Sequence, residues 1–259
     1  MRPYLTVAQK EIRDHVRDTR SLMSTAMYAL MGPVVVMLVS FSRPVAEGGR
    51  PGLLLQMASV FALVAAFAGS MNVAMDAMAG ERERRSLVPL LLNPVSRFDF
   101  VLGKWIAASL FGLGALALNL AGFLAALGLG APGSLHALSG GVWLWVLAGL
   151  TPLVLLGSAI HLLVAAGSRT AKEAHSWLSM VVFAPMLVGM FLVFFPGWIG
   201  SWWFVAPVAG QQSLIARSIA GQPVLFVQGA VLAAVTVAAS VPVLLGARRV
   251  LNRDDLLAG

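Results

Sequence analysis

One uncharged stretch limits the folds open to this chain more than any other feature. Between Trp105 and Ser168 there are 64 residues without a single Asp, Glu, Lys or Arg. Roughly 20 apolar residues cross a bilayer hydrocarbon core about 30 Å thick, so this stretch is too long for one crossing. The segment Gly128 to Gly133, rich in Gly and Pro, divides it into two predicted membrane spans.

Shorter uncharged runs recur on either side of this stretch, and the composition agrees with them. The chain has 259 residues, of which 59% are hydrophobic and 11% are charged, whereas a soluble domain carries about 25% charged residues. Helices satisfy their own backbone hydrogen bonds in lipid. We therefore predict an all-α, polytopic membrane protein, a single transmembrane domain over residues 1–259 with six spans at about 23–41, 53–75, 105–127, 142–166, 177–195 and 224–247.

The first twenty residues are polar and are predicted to form a helix on the membrane surface. Lys10 and Asp14 form an i,i+4 pair, and apolar residues recur at spacings of three and four, which places them on one helical stripe. We expect an amphipathic helix over residues 4–20 in the interface plane, and a solvated helical tail is the alternative. The stripe consists of Leu5, Ala8, Ile12, Val16 and Met23.

Basic residues are distributed unevenly between the two sides of the predicted bundle. Of the 18 Lys and Arg residues, all but Arg43, Arg50 and Arg217 fall on the side that holds both termini. Because basic residues favour the cytoplasmic side, we expect a multi-pass protein of the cell (inner) membrane with both termini in the cytoplasm. The net charge of +7 is accordingly assigned to topology and to anionic lipid of the bilayer, not to nucleic acid.

Few residues offer catalytic or metal-binding chemistry. No charged residue lies within a predicted span, the chain has no cysteine, and the four histidines lack metal-ligand spacing. Ser158 and His161 share one helix, and we find no second element to complete a catalytic pair. We therefore expect no catalytic residue, no metal and no cofactor in this chain. Asn72 and Asn119 are candidates for a substrate pathway, since a buried amide needs several partners; interhelical hydrogen bonds are the alternative.

The segment from Gly80 to Arg97 joins the second and third predicted spans. Its charged start is expected in water or at a protein surface, because a charge at a bilayer centre costs roughly 2.5 to 3.5 kcal/mol. Ser96 and Asp99 resemble a capping box that begins the next helix. The charged start mixes acid and base more closely than membrane orientation requires, in the order Glu81, Arg82, Glu83, Arg84 and Arg85.

The second half of this segment favours a docking surface. Ser86 is a good N-cap for a short helix over about 87–92. Leu90 and Leu91 within that helix form a costly surface in water unless a partner covers them. An ordinary loop on the positively charged side is the alternative. A docking surface for a cytoplasmic partner explains both the mixed charge and the leucines.

The same segment resembles a known family in the letters GERERRSLVPLLLNPVSRFDFVLGKW. It is similar to the segment between transmembrane helices two and three of ABC-2 type permeases, and most of all to the NatB-like sodium-exporter branch. The opening KEIRDHVRDTRSL resembles the N-terminal helix of that branch, and Pro207 to Pro223 resembles the outer helix before the last span. The resemblance covers the whole chain in order.

The resemblance implies a fold and a set of partners. The fold is the ABC-2, type V exporter-like permease with six helices. The partners are a second permease subunit, as a homodimer or heterodimer, and two copies of an ABC ATPase subunit that holds ATP and Mg. The branch carries a large extracellular insertion after span one, whereas Arg43 to Gly52 is a short loop here. The substrate therefore stays open between sodium and another small substrate.

The resemblance also implies where the ATPase makes contact. In the family, the N-terminal helix and the segment after span two form that contact. Carried over to this sequence, the cytoplasmic coupling segment is 81–92, and the ATPase-coupling residues are Lys10, Arg13, Arg17, Glu81, Arg82, Glu83, Arg84, Leu90 and Leu91.

The sequence thus predicts the non-catalytic permease subunit of an ABC exporter. It would form the membrane pathway and be coupled to a separate cytoplasmic ATPase. Two alternatives remain at this point. One is a structural or assembly membrane protein with a docking loop but no pathway, and the other is an ATP-independent channel.

Overall fold

The computed structural model describes residues 3–42, 51–86, 95–130, 141–195, 197–198 and 200–252, and within these ranges every regular element is helical. A π-helix over Asp76–Gly80 and a 3-10 helix over Gly200–Val205 interrupt the α-helices. The α-helices are α1 Pro3–Arg17, α2 Thr19–Ser42, α3 Pro51–Ala68, α4 Met71–Met75, α5 Glu81–Glu83, α6 Arg97–Gly130, α7 Gly141–Gly167, α8 Ala171–Phe194, α9 Ala209–Ile219 and α10 Phe226–Leu251.

Six helical stretches in the described residues are long and apolar enough to cross a membrane. The predicted all-α fold with six membrane helices is thereby confirmed. The second stretch combines α3, α4, the π-helix and α5. The stretches are Ser21–Ser40, Leu55–Glu83, Arg97–Leu129, Val142–Gly167, Ala171–Phe194 and Phe226–Leu251.

Two helices continue well beyond the ends predicted for their spans, both at the same end of the bundle. The second stretch runs on to Glu83, and α6 begins at Arg97 instead of Trp105. The reason is that charged side chains at these ends pair with one another, so the helices continue through them. The N-cap half of the predicted capping box is present at the start of α6: the Ser96 hydroxyl accepts from the Asp99 backbone N–H at 3.0 Å. The Asp99 carboxylate accepts from the same hydroxyl at 2.7 Å.

The second stretch lies at the centre of the bundle. Of its 18 most apolar consecutive residues 78% are buried, compared with 22% in the fifth stretch, α8. Small residues line its middle and allow close helix packing. A Cβ atom added at Gly69 would lie 2.6 Å from the Ala115 Cβ atom and 3.2 Å from the Gly112 Cα atom, both of α6. The buried small residues of this stretch include Ala62, Ala65, Ala66, Ala68 and Gly69.

Two outer helices present large apolar side chains to their surroundings. Such continuous apolar surface is not stable in water, whereas a bilayer accommodates it. On α2 and α8 these side chains include Met23, Met27, Val34, Leu38, Met180, Phe183, Leu187 and Phe194. The exposed faces are therefore the lipid-facing part of a multi-pass membrane protein.

Some predictions fall on residues outside the described ranges. These are the short helix over 87–92 with Leu90 and Leu91, and the loop between α2 and α3.

A pair of glycine substitutions tests the central packing. Gly69→Ala places a methyl group against Ala115, and overpacking of this kind costs about 1–3 kcal/mol. Gly114→Ala on α6 meets no atom within 4 Å and gains helix propensity. We expect thermal unfolding in detergent to shift down for Gly69→Ala and to stay level or rise for Gly114→Ala. Equal shifts of the two variants would contradict the close approach.

Candidate functional site

A lysine that is fully enclosed by protein marks one end of the bundle. Lys104 on α6 has no solvent exposure. Its ammonium group donates to Glu11 Oε1 at 2.9 Å, to Glu81 Oε2 at 2.7 Å and to the Ala77 carbonyl at 2.7 Å. An ammonium group has three hydrogens to donate, so these three acceptors satisfy it completely. The Phe100 ring lies 4.6 Å from the same nitrogen.

A second lysine completes the arrangement, which we call the ion cluster: Lys10, Glu11, Glu81 and Lys104. Lys10 of α1 lies 3.0 Å from Glu81 Oε1 and 3.2 Å from Glu11 Oε1. Each oxygen of Glu81 therefore holds a different lysine. The expectation that Glu81 lies in water or at a protein surface is wrong, since it is only 5% exposed. Its charge is tolerated because paired cations compensate for the lost hydration.

The environment of the cluster favours the charged form of the groups on α1. Burial opposes ionisation of Glu11, but the ammonium groups of Lys104 and Lys10 outweigh it and lower the pKa of that carboxyl group. Partial burial would likewise lower the pKa of Lys10, yet the neighbouring Glu11 and Glu81 raise it above its usual value. Lys10 and Glu11 are thus both charged at neutral pH.

The cluster decides which face of α1 packs on the bundle. Ala8, Glu11 and His15 are the buried residues of this helix. Leu5 and Val16, which belong to the predicted apolar stripe, are 46% and 55% exposed. The predicted stripe is therefore divided between the packed and the exposed side of α1, and the position of this helix in the interface plane stays a prediction. The packed face is polar, because Glu11 reaches Lys104, and the exposed apolar residues remain free to contact lipid.

Close backbone packing accompanies the ionic contacts of α1. A Cβ atom at Gly103, next to Lys104, would lie 2.6 Å from the Tyr4 carbonyl oxygen and 2.6 Å from the Val7 Cβ atom. Only a glycine fits at this distance without displacement of α1. The predicted pair of Lys10 with Asp14 is present at 3.6 Å.

The π-helix lies directly before Glu81. Its i→i+5 hydrogen bonds add a residue to one turn, a feature frequent at functional sites. The side chain of Asp76, its first residue, pairs with Arg84 at 3.0 Å and lies 3.7 Å from His15 of α1. The hydrogen bond to Asp76 raises the pKa of Arg84. The ion pair thus connects the first residue of the π-helix to the residue that follows α5.

Arg82 and Glu83 join the same segment to the ends of two further helices. Arg82 donates to the Ala166 carbonyl at 2.6 Å and to the Ser168 carbonyl at 2.5 Å, at the C-terminal end of α7. Glu83 accepts from the Ala171 backbone N–H at 3.0 Å, at the N-terminus of α8. A cation at a helix C-terminus and an anion at an N-terminus are both favourable placements.

A specific turn ends α5. The Ser86 N–H donates to the Glu81 carbonyl at 2.9 Å and the Arg85 N–H to the Arg82 carbonyl at 2.9 Å, while Arg85 is left-handed with φ of 56°. This is the Schellman pattern. The Ser86 hydroxyl also donates to the Glu81 carbonyl at 3.1 Å, so Ser86 terminates the preceding helix. Its predicted role as N-cap concerns residues beyond the described range and stays a prediction.

The remaining predicted site residues lie in two places. Arg13 and Arg17 are exposed on α1 and form no ion pair within the described part of the chain. Asn72 and Asn119 lie inside the bundle. The Asn72 amide donates to the Ser24 hydroxyl at 3.0 Å, and that of Asn119 donates to the Ala29 carbonyl at 2.6 Å. Both bonds fasten α2 to its neighbours.

Two essential members of the cluster, Glu11 and Lys104, were not selected by the sequence reasoning. Glu11 lies within the N-terminal helix and Lys104 just before the predicted third span. A signal existed: Lys104 is the one charged residue within α6 after its first turn. A lone lysine at the edge of a long apolar helix needs an acidic partner, and Glu81 and Glu11 were available.

The depressed pKa of Glu11 generates a prediction about pH. A carboxyl group with a folded pKa below its unfolded value of about 4.3 stabilises the docked α1 above that value. The contribution is lost as the pH falls through the folded pKa. Amide hydrogen exchange of residues 3–17, corrected for intrinsic rates, should be slow at pH 7 and accelerate below about pH 4. Glu11→Gln should exchange faster at pH 7. Protection that is unchanged down to pH 3 would contradict the role given to Glu11.

Comparisons with known proteins identify the family of this chain. The ABC transporter permease protein NatB of Bacillus subtilis (strain 168) is 34% identical over 154 residues, which cover 57% of this chain and 40% of that protein. The chain therefore matches less than half the length of this relative. The family model described as ABC-2 family transporter protein matches residues 5–256. With nearly its entire length matched, the chain belongs to the ABC-2 family of transporter proteins.

Proposed function

We propose that this chain is the permease subunit of an ABC exporter, driven by a separate cytoplasmic ATPase subunit. It holds no ATP site of its own in this proposal; ATP and Mg are bound by the partner. Family membership and the similarity to a NatB permease support the assignment. One structural observation carries the mechanism, namely that a single short segment is bonded to four helices.

That segment, residues 81–84, is bonded to four helices that meet at this end of the bundle. Glu81 binds Lys104 of α6 and Lys10 of α1, Arg82 binds the end of α7, and Glu83 binds the start of α8. A force applied to α1 or α5 is therefore transmitted to α6, α7 and α8 as one body. Interfaces of this kind have discrete arrangements, which suits alternation between inward- and outward-open states.

The exposed surface around the ion cluster is basic. Its cations belong to three segments that the cluster and the Arg82 and Glu83 bonds hold side by side. The exposed basic residues are Lys10, Arg13, Arg17, Arg84, Arg85, Arg169 and Lys172. We propose that this surface faces the cytoplasm, as the positive-inside rule favours, and that acidic groups of the ATPase bind it. Coupling residues Leu90 and Leu91 remain part of the proposal.

Two further parts of the proposal concern the membrane region. The transporter contains two permease subunits, as a homodimer or heterodimer, and two ATPase copies. Asn72 and Asn119 are kept as proposed pathway residues. The Asn119 Oδ1 atom is buried and has no hydrogen-bond partner within the described residues, so it retains an acceptor for a passing substrate. The substrate is proposed as sodium or another small solute.

The proposed binding of the ATPase to the basic surface around the ion cluster is tested by the double variant Arg13→Ser/Arg17→Ser. Neither residue belongs to the ion cluster, so the fold should stay intact. Tagged protein is isolated from its native membranes in mild detergent, and the co-isolated chains are identified by peptide mass spectrometry together with ATP hydrolysis. We expect a chain with a Walker A loop and, in the variant, about two- to thirtyfold less of it, because each of the two exposed charge pairs is worth about 0.2–1 kcal/mol.

The control for this experiment is Arg217→Gln, which removes a cation at the opposite end of the bundle and should leave ATPase recovery unchanged. Equal recovery from the double variant and the control would contradict the proposed surface. Substrate flux from proteoliposomes that lack any ATPase would contradict the exporter and support an ATP-independent channel.

A further inference from the structure

A polar cavity lies at the end of the bundle opposite the ion cluster. Its volume is about 410 Å³, within the 300–1,000 Å³ typical of small-molecule sites. It opens between the start of the second span, α8 and α9. Its polar lining consists of Gln56, Gln212, Ser213, Arg217 and Gln222.

Gln212 lines this cavity and has a buried acceptor without a partner in the described part of the chain. Its side chain is 1% exposed. The amide nitrogen donates to the Ser59 hydroxyl at 2.8 Å, and that hydroxyl donates onward to the Gln56 carbonyl at 2.6 Å. The Oε1 atom has no partner within the described residues. A buried carbonyl without a donor is unfavourable by about 1–3 kcal/mol. A ligand hydroxyl that donates to it would therefore contribute favourably to the free energy of binding.

Arg217 gives the same cavity its charge. The guanidinium group is 5.2 Å from the Trp203 ring, which holds it from one side. Within the described residues Arg217 forms no ion pair, and neither this cavity nor its neighbour is lined by Asp or Glu. The electrostatic complement of such a site is an anion with planar or tetrahedral oxygens.

A second cavity adjoins the first and is entirely apolar. Its volume is about 440 Å³, and it shares Gln56 and Val193 with the polar cavity. It runs along α2, α3 and α8, with Met31, Phe61, Met190 and Phe194 among its lining residues. The cationic, amide-lined cavity therefore lies directly beside an apolar one, and Gln56 and Val193 line both.

We propose that these two cavities form one binding site for an anionic amphiphile. The anionic head binds Arg217, a hydroxyl group on the head donates to Gln212 Oε1, and the apolar chain occupies the cavity along α2, α3 and α8. A phosphodiester with a hydroxylated head, as in phosphatidylglycerol, has this chemistry. The site is a property of this chain alone and does not depend on ATPase coupling.

The test measures lipid binding to the full-length chain in detergent by native mass spectrometry. The probes are phosphatidylglycerol, phosphatidylmethanol, which is anionic but has no head hydroxyl, phosphatidylcholine, and the head group alone as glycerol 3-phosphate. We expect affinity to fall in that order, with phosphatidylglycerol at least about tenfold tighter than phosphatidylcholine, because choline has no hydroxyl for Gln212 and adds a cation beside Arg217. Equal binding of phosphatidylglycerol and phosphatidylcholine, or of glycerol 3-phosphate and the intact lipid, would overturn the proposal.

Matched variants locate the site. Arg217→Gln should weaken phosphatidylglycerol about tenfold, whereas Arg249→Gln, which replaces an exposed cation near the far end of α10, should not. Val193→Trp places a large side chain where the two cavities meet and should weaken phosphatidylglycerol binding. Val237→Trp, on an exposed face of α10, should not. Thermal unfolding establishes that each variant is folded.

One outcome identifies a different occupant of the apolar cavity. If Val193→Trp converts a dimer to a monomer in the mass spectrum while phosphatidylglycerol binding stays unchanged, a second copy of the chain covers that cavity. The amphiphile proposal would then be overturned.

Discussion

The burial of the Lys104 ammonium group is the constraint on which this end of the structure depends. An ionised amine taken out of water is tolerated only when charged and polar partners surround it closely. Here the partners come from Glu11 of α1 and from Glu81 and Ala77 of the second span. None of these elements can move away from α6 without exposing an unpaired charge. The N-terminal helix is therefore a fixed part of the bundle, held on a polar face.

The segment that supplies Glu81 has a second consequence for the neighbouring helices. Alternating acidic and basic residues send successive side chains to different helices, and Arg82 and Glu83 bind helix ends of matching polarity. The mixed charge that distinguished this segment in the sequence is thus explained by internal bonds as well as by exposure. The exposed surface around the ion cluster is basic and includes Arg13, Arg84 and Arg169. A partner would bind that basic surface, and the internal bonds would transmit the movement of the partner to the membrane helices.

Local patterns predicted most of the fold, and long-range pairing decided the rest. Charge-free runs revealed six membrane helices, and Ser96 with Asp99 revealed the start of α6. Hydropathy did not predict that the helix of the second span continues to Glu83, because the partners that make Glu81 acceptable lie 23 and 71 positions away at Lys104 and Lys10. The Schellman turn was also missed, since Arg85 occupies a position where glycine is usual. The two adjoining cavities depend on packing between distant helices, which no single stretch of sequence encodes.

The most direct test of the central claim is a double-mutant cycle between Glu11 and Lys104. The quantity measured is the free energy of opening of α1, obtained from amide hydrogen exchange in the single variants Glu11→Gln and Lys104→Met and in the double variant. Residues in one buried ionic network couple by about 0.5–3 kcal/mol. The account predicts a coupling of at least about 1 kcal/mol, with the double variant less destabilised than the sum of the single ones. Additivity within about 0.5 kcal/mol would show that the buried lysine does not hold the N-terminal helix in place.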